Sequence, residues 1–131
     1  MRLFGAIDIS ASALTAERLR LDVIAENLAN AGTTRTAEGG PYRRKVVLFA
    51  PRGGVGGVRV VGIARDPSPF RLRYDPGHPD ADAAGYVRLP NVDVVKEMVD
   101  LITATRAYEA NVTAIGAAKA MFQRALDIGR A

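Results

Sequence analysis

The sequence predicts an α+β chain: two long terminal helices pairing as a coiled coil, with a small antiparallel β region inserted between them. Three observations predict it. Apolar residues recur in heptads near both ends, the pattern of a helix that buries one seam against a partner helix. Glycine and proline divide the stretch between into short runs rich in β-branched residues. The C-terminal heptad run also outlasts the N-terminal one by more than ten residues, so part of its seam finds no partner within the chain.

The first helix is expected over residues 7–31. Ile7, Leu14, Leu21 and Leu28 recur every seven residues, and Ile24 and Ala31 supply the alternate step. Leu19 and Val23 add a second apolar edge. Ser10, Ser12 and Thr15 are weak helix formers, so the first turns are expected to start or fray there. Glu17, Arg18, Arg20, Asp22 and Glu26 mix signs on the outer face, as a solvated side does. Gly32 follows the last periodic residue and is expected to close the helix in a left-handed cap.

The middle is read as strands and turns. Gly39-Gly40-Pro41 is turn chemistry. Residues 42–50 (YRRKVVLFA) and 58–64 (VRVVGIA) read as strands, and the glycine-rich 52–57 between them as a hairpin tip. Asp66-Pro67-Ser68-Pro69 breaks the second strand. Residues 70–74 (FRLRY) alternate apolar and basic, which is a half-exposed strand. The loop 75–85 (DPGHPDADAAG) leads to a short extended piece, 86–89, ended by Pro90. Asn91 or Asp93 then caps the long helix.

That helix is expected over residues 91–129. Val94, Met98, Leu101, Thr105, Tyr108, Val112, Ile115, Lys119, Phe122 and Leu126 alternate steps of four and three without a slip. At 1.5 Å per residue a helix of roughly 38 residues is ~57 Å long. Gly116 stands inside it, at a cost of up to about 1 kcal/mol relative to alanine; close contact with another helix and simple weakening are both open. The expected division is 1–34 as the N-terminal helix of a helical core, 35–90 as a small β-rich outer region, and 91–131 as the C-terminal helix of the core. The assembly seam is assigned to Ile7, Leu14, Leu21, Ile24 and Leu28 in the first helix. In the second it is Val94, Met98, Leu101, Tyr108, Val112, Ile115, Phe122 and Leu126.

Composition narrows the function classes. There is no cysteine, which excludes disulfides and thiolate metal sites. No run of 18 apolar residues exists, so no membrane-spanning helix is expected. The N-terminal run is broken by Asp8 and is not expected to act as a secretory signal. The net charge of +4 is concentrated in the middle, where residues 35–90 carry ten bases against five acids. A basic solvated surface accounts for it; the alternative is a small nucleic-acid-binding module using Arg43, Arg44 and Lys45, with Tyr42 stacking. Asp75, His78, Asp80 and Asp82 offer one imidazole and three carboxylates, but in turn-forming sequence that matches no metal-loop pattern. The glycine-rich 52–57 lacks the Lys-Ser/Thr and the helix that a phosphate loop needs. No enzyme, cofactor or metal site is expected.

Two motifs carry a family resemblance. Residues 21–34, LDVIAENLANAGTT, closely resemble the N-terminal signature of the bacterial flagellar axial proteins, the family of rod and hook proteins. Residues 91–111, NVDVVKEMVDLITATRAYEAN, resemble the matching C-terminal signature. The motif positions are Asn27, Asn30, Thr33, Thr34, Asn91, Asp93, Tyr108, Glu109 and Asn111. Residues 35–45 and 74–82, with the short chain length, look like the proximal rod members. The resemblance implies a structural subunit exported unfolded through the flagellar type III apparatus without a cleaved signal. Such subunits assemble helically in the periplasm into the drive shaft that transmits motor torque. The partners implied are copies of the chain, other rod proteins, the export apparatus and, less directly, the surrounding ring proteins. Neither nucleic acid nor a transmembrane segment is implied. Asn27, Asn30, Thr33 and Thr34 are expected to fix the helix exit by hydrogen-bonding nearby backbone.

Overall fold

A computed structural model describes residues 2–130; Met1 and Ala131, the outer ends of the expected helical segments, lie outside them. The order is α1 (Arg2–Ala29), β1 (Lys45–Pro51), β2 (Val58–Arg65), β3 (Arg71–Tyr74), β4 (Tyr86–Leu89) and α2 (Val94–Arg130). The α+β architecture is the one the heptads and the broken middle predict.

The two helices pack against each other and run antiparallel. Asn27 meets Glu97 at one end, and the rings of Phe4 and Phe122 meet edge to face at the other, with centroids 5.4 Å apart. Beyond Phe122, α2 continues for two turns past the start of α1. The face of α2 that loses solvent is itself a heptad line. Glu97, Ala104 and Ala118 are buried, and Leu101, Tyr108, Asn111, Ile115 and Phe122 are half-buried. On α1, Ala16, Val23, Ile24 and Asn27 are buried, while Ile7, Leu14, Leu21 and Leu28 are half-buried. Buried alanines on both helices leave little side chain between the backbones, so close packing replaces a large apolar core.

The small antiparallel β region between the helices consists of two separate two-stranded pairs. β1 and β2 pair from Lys45↔Arg65 to Pro51↔Val58, with a bulge between Leu48 and Phe49, and both pack on α1. The hairpin lies along the helix. Its tip is held where the Val58 N–H donates to Ser12 Oγ (3.2 Å) and Arg52 pairs with Asp8. Gly57, at φ 104°, must be glycine: a Cβ there would stand 2.6 Å from Ser12 Oγ. β3 and β4 pair from Arg71↔Leu89 to Tyr74↔Tyr86, with Val87 fully buried.

Three boundaries differ from the sequence expectation, and one open question, at Gly116, is settled within the chain. α1 begins at Arg2 and does not fray at its hydroxyl residues, because Ser12 Oγ donates to the Ile9 carbonyl (2.6 Å) and Thr15 Oγ1 to that of Ala11 (3.2 Å). Gly32 is not left-handed; the helix ends instead in tight turns, Ala31 N–H to the Leu28 carbonyl and Thr33 N–H to that of Asn30. β1 starts at Lys45 rather than Tyr42, because the Tyr42 and Arg44 amides bond to the Thr33 carbonyl and the Asn91 side chain. Gly116 is exposed and an added Cβ meets nothing there, so no close contact within the chain requires it.

Candidate functional site

The most ordered chemistry in the chain is a polar node where the C-terminal end of α1, the start of β1 and the first turn of α2 converge. Asn27, 1% exposed, presents its amide to the Lys45 backbone as a strand would. Its Nδ2 donates to the Lys45 carbonyl (2.9 Å), and its Oδ1 accepts from the Lys45 N–H (3.0 Å). The Tyr42 hydroxyl donates to the same Oδ1 (2.7 Å), and Nδ2 also reaches Glu97 Oε2 (3.4 Å). Glu97 is equally buried and takes its charge partner from Arg44, whose Nε donates to Glu97 Oε1. Arg44 also pairs with Asp66 (3.0 Å) and Asp100 (3.5 Å), so one guanidinium joins three carboxylates from a loop and a helix. A buried charge is tolerable only when paired and hydrogen-bonded. Among the described residues, no buried side-chain nitrogen or oxygen lacks a partner.

The electrostatics follow from these contacts. Burial pushes the Tyr42 phenol up to about 12, with Glu26 and Glu97 adding to the shift. Burial works most strongly against the Arg44 charge, but the hydrogen bonds and charges of Glu97 and Asp66 together outweigh it, and the group titrates above its ordinary value. Hydrogen bonds from Ser68, then Arg44, hold the Asp66 carboxyl below the usual range.

The motif residues divide among several tasks. Asp93 is the N-cap of α2: its Oδ1 accepts from the Val95 and Lys96 amides at 3.0 and 3.3 Å. Asn91 is not a cap. Its Oδ1 accepts from the Arg44 N–H, and its Nδ2 donates to the carbonyls of Asp66 and Ser68, which ties the β1 entry to the loop after β2. Asn30 donates to the Glu26 carbonyl (2.9 Å) and Thr33 to Asn30 Oδ1 (3.1 Å), both at the helix exit. Thr34 reaches outward to Asp80 Oδ2 (2.7 Å), and Arg35 takes the other oxygen. Those contacts, Thr34 first, hold the Asp80 carboxyl below its ordinary range. Asn111 donates to the Ala107 carbonyl, Tyr108 is half-buried in the helix pair and Glu109 is exposed.

The basic cluster is spent inside the chain. Arg43 donates to the Asp66 and Ser68 carbonyls and lies 4.2 Å over the Phe70 ring; Arg44 belongs to the node; Lys45 Nζ pairs with Glu26 at 2.7 Å. Three cations with internal partners give a phosphate backbone little to bind, which removes the basis of the nucleic-acid reading. The acidic loop likewise shapes turns. His78 Nδ1 accepts the Asp80 N–H, and Asp82 Oδ1 accepts the Ala84 and Tyr86 amides.

The assembly-seam residues fall into two sets. Leu101, Tyr108, Ile115 and Phe122 turn toward α1 and are half-buried. Val94, Met98, Val112 and Leu126 lie exposed. Val95, Val99 and Ile102 join the exposed set at the start of α2, where five large apolar side chains face solvent over three turns. A contiguous apolar surface on so small a chain marks an interaction site.

Comparison with known proteins decides the family. The model described as "Flagella basal body rod protein" matches residues 7–35, and that for the "Flagellar basal body rod FlgEFG protein C-terminal" matches residues 83–128. The flagellar basal-body rod protein FlgC of Borreliella burgdorferi is 50% identical, over 98% of each chain. That of Bacillus subtilis is 49% identical over 99% of this chain and all of its own. The chain belongs to the FlgC family of flagellar basal-body rod proteins. The FlgC of Escherichia coli O157:H7, 46% identical over 99% of this chain, agrees. As a member of the FlgC family the chain is a structural rod protein of the flagellar basal body and not an enzyme.

Sequence reasoning missed the node's ionic half. Glu97, Tyr42, Arg44 and Asp66 carry no hydropathy signal, and Arg44 and Glu97 are 53 positions apart. The one available signal was a lone carboxylate at Glu97, on the heptad line that also holds Leu101 and Tyr108.

Proposed function

We propose that the chain enters the rod by coupled folding and assembly, its helix pair set by the polar node and its open seam covered by neighbouring subunits. On this reading residues 1–34 and 91–131 form the helical core, and residues 35–90 the outer region. The neighbours are copies of the chain and other rod proteins. The chain reaches the periplasm unfolded, through the flagellar export apparatus. One observation carries the reading: Val94, Met98, Val112 and Leu126 continue the heptad of Leu101, Tyr108, Ile115 and Phe122 but lie open to solvent. Covering them returns roughly 25 cal/mol per Å² of apolar area, which offsets the roughly 1–2 kcal/mol per residue that ordering the backbone costs.

The test is deletion of residues 110–131. The truncated chain keeps the node and both strand pairs, and is expected to fold locally but to abolish rod assembly and swimming. Normal swimming in that strain contradicts the reading.

A further inference from the structure

Two exposed surfaces of this chain match each other; they adjoin at Arg65 and Asp66, but the β2 strand and the α2 helix that carry them do not pack together within the chain. The first lies at the start of α2. A cleft of about 510 Å³ is bordered by Asp66, Asp93 and Asp100 and continues into Val95 and Val99. Asp66 and Asp100 share the guanidinium of Arg44 with the buried Glu97, and Lys96 is the other cation of the lining, so with Asp93 four carboxylates face two cations and negative charge is in excess there. Val95 and Val99 are 70% and 56% exposed, which makes this surface acidic and apolar together. The second is the outer side of β2, where alternation leaves Arg59, Val61, Ile63 and Arg65 exposed. Among the described residues Arg65 has only the exposed Glu38 as a charge partner. That side is basic and apolar together, with a reach of about 20 Å at ~3.3 Å per residue. Among the described residues β2 makes no approach to α2, so a chain cannot lay one surface on the other by itself.

We propose that the outer face of β2 in one copy docks on the acidic, apolar start of α2 in a second copy. The inference rests on the rod-subunit reading and assigns a specific contact to it. Charge complementarity sets the register, with Arg59 and Arg65 flanking the carboxylates, while Val61 and Ile63 cover Val95 and Val99. The contact is heterologous: each copy offers one surface and accepts on the other. Such a contact propagates instead of closing into a symmetric dimer.

The absence of cysteine makes the test direct, because any disulfide in an engineered chain is placed by design. Full-length chains carrying Ile63→Cys are mixed with chains carrying Val99→Cys under mild oxidation. A control uses Ala83→Cys in place of Val99→Cys. The expected result is a mixed Ile63→Cys/Val99→Cys dimer formed at least tenfold faster than the control dimer, and slowed severalfold by Arg59→Glu or by raising salt. A chain carrying both cysteines is expected to give a ladder of linked oligomers. Mixed dimer at the control rate, insensitivity to Arg59→Glu, or a double-cysteine chain that stops at a dimer overturns the proposal. A swimming assay separates this contact from the broader reading. If Arg59→Glu with Arg65→Glu swims normally while deletion of residues 110–131 does not, the contact is wrong and the rod subunit stands.

Discussion

The two ends of the helix pair are held by different chemistry. At one end Asn27, Tyr42, Arg44, Lys45 and Glu97 form a largely buried network in which every buried side-chain nitrogen and oxygen is matched. At the other, Phe4 and Phe122 touch edge to face, Phe4 stays about half exposed, and α2 runs on uncovered through Leu126 and Ile128. A buried polar network specifies one register, because any slip leaves a charge unpaired. An aromatic contact at an open end tolerates sliding and gives up little when a neighbour replaces it. The contrast implies that the chain fixes its own geometry at one end and leaves the other to be completed in the rod.

The largest expected effect comes from breaking the node. Glu97→Ala removes the buried partner of Arg44 and an acceptor of Asn27, and is expected to cost about 3 kcal/mol, read as a lower urea midpoint. Asn27→Ala leaves the Lys45 amide and carbonyl without partners and is expected to cost about 2 kcal/mol by the same measurement. If either variant matches the parent, the node is not what sets the pairing. Phe122→Ala removes the ring contact at the open end and is expected to cost only about 1 kcal/mol, with faster amide exchange confined to the end of α2. Gly116→Ala is expected to raise helix content and to stabilise by up to about 1 kcal/mol, since the site is open; destabilisation would reveal a contact that needs the glycine.

Acid and base should act on different parts of this comparison. Asp66 and Asp80 titrate below the ordinary carboxylate value, so their contribution is present above that value and is lost as pH falls through their lowered folded pKa. Melting temperature should therefore drop below about pH 4. Tyr42 titrates above its ordinary value of 10.0, so the stability of its neutral form is present below pH 10 and is lost as pH rises toward about 12. Tyr42→Phe should remove the alkaline loss while leaving the acid limb unchanged.

Much of the fold was legible because local signals agreed. The Asp93 cap, the breakers at Pro67, Pro69 and Pro90, and the heptads at Leu101, Tyr108, Ile115 and Phe122 all act within a few residues of sequence. The alternate step was not legible. The face on α1 takes Glu97, Ala104, Asn111 and Ala118, while hydropathy favours Met98 over Glu97 and Val112 over Asn111, one position on. Alanine and asparagine are weak in any hydropathy pattern, and Glu97 is admitted only because Arg44 arrives from β1. Gly32 looked like a cap from its position, but the exit is closed by backbone turns and Asn30. The motif threonines read as local backbone partners, whereas Thr34 contacts Asp80, 46 positions away.

Hydrogen exchange along α2 in the isolated full-length chain tests the contrast between the ends most directly. The expected result is strong protection from Glu97 through Tyr108, falling steadily to near-free exchange beyond Phe122. Uniform protection to Arg130, or a gradient running the other way, would contradict it.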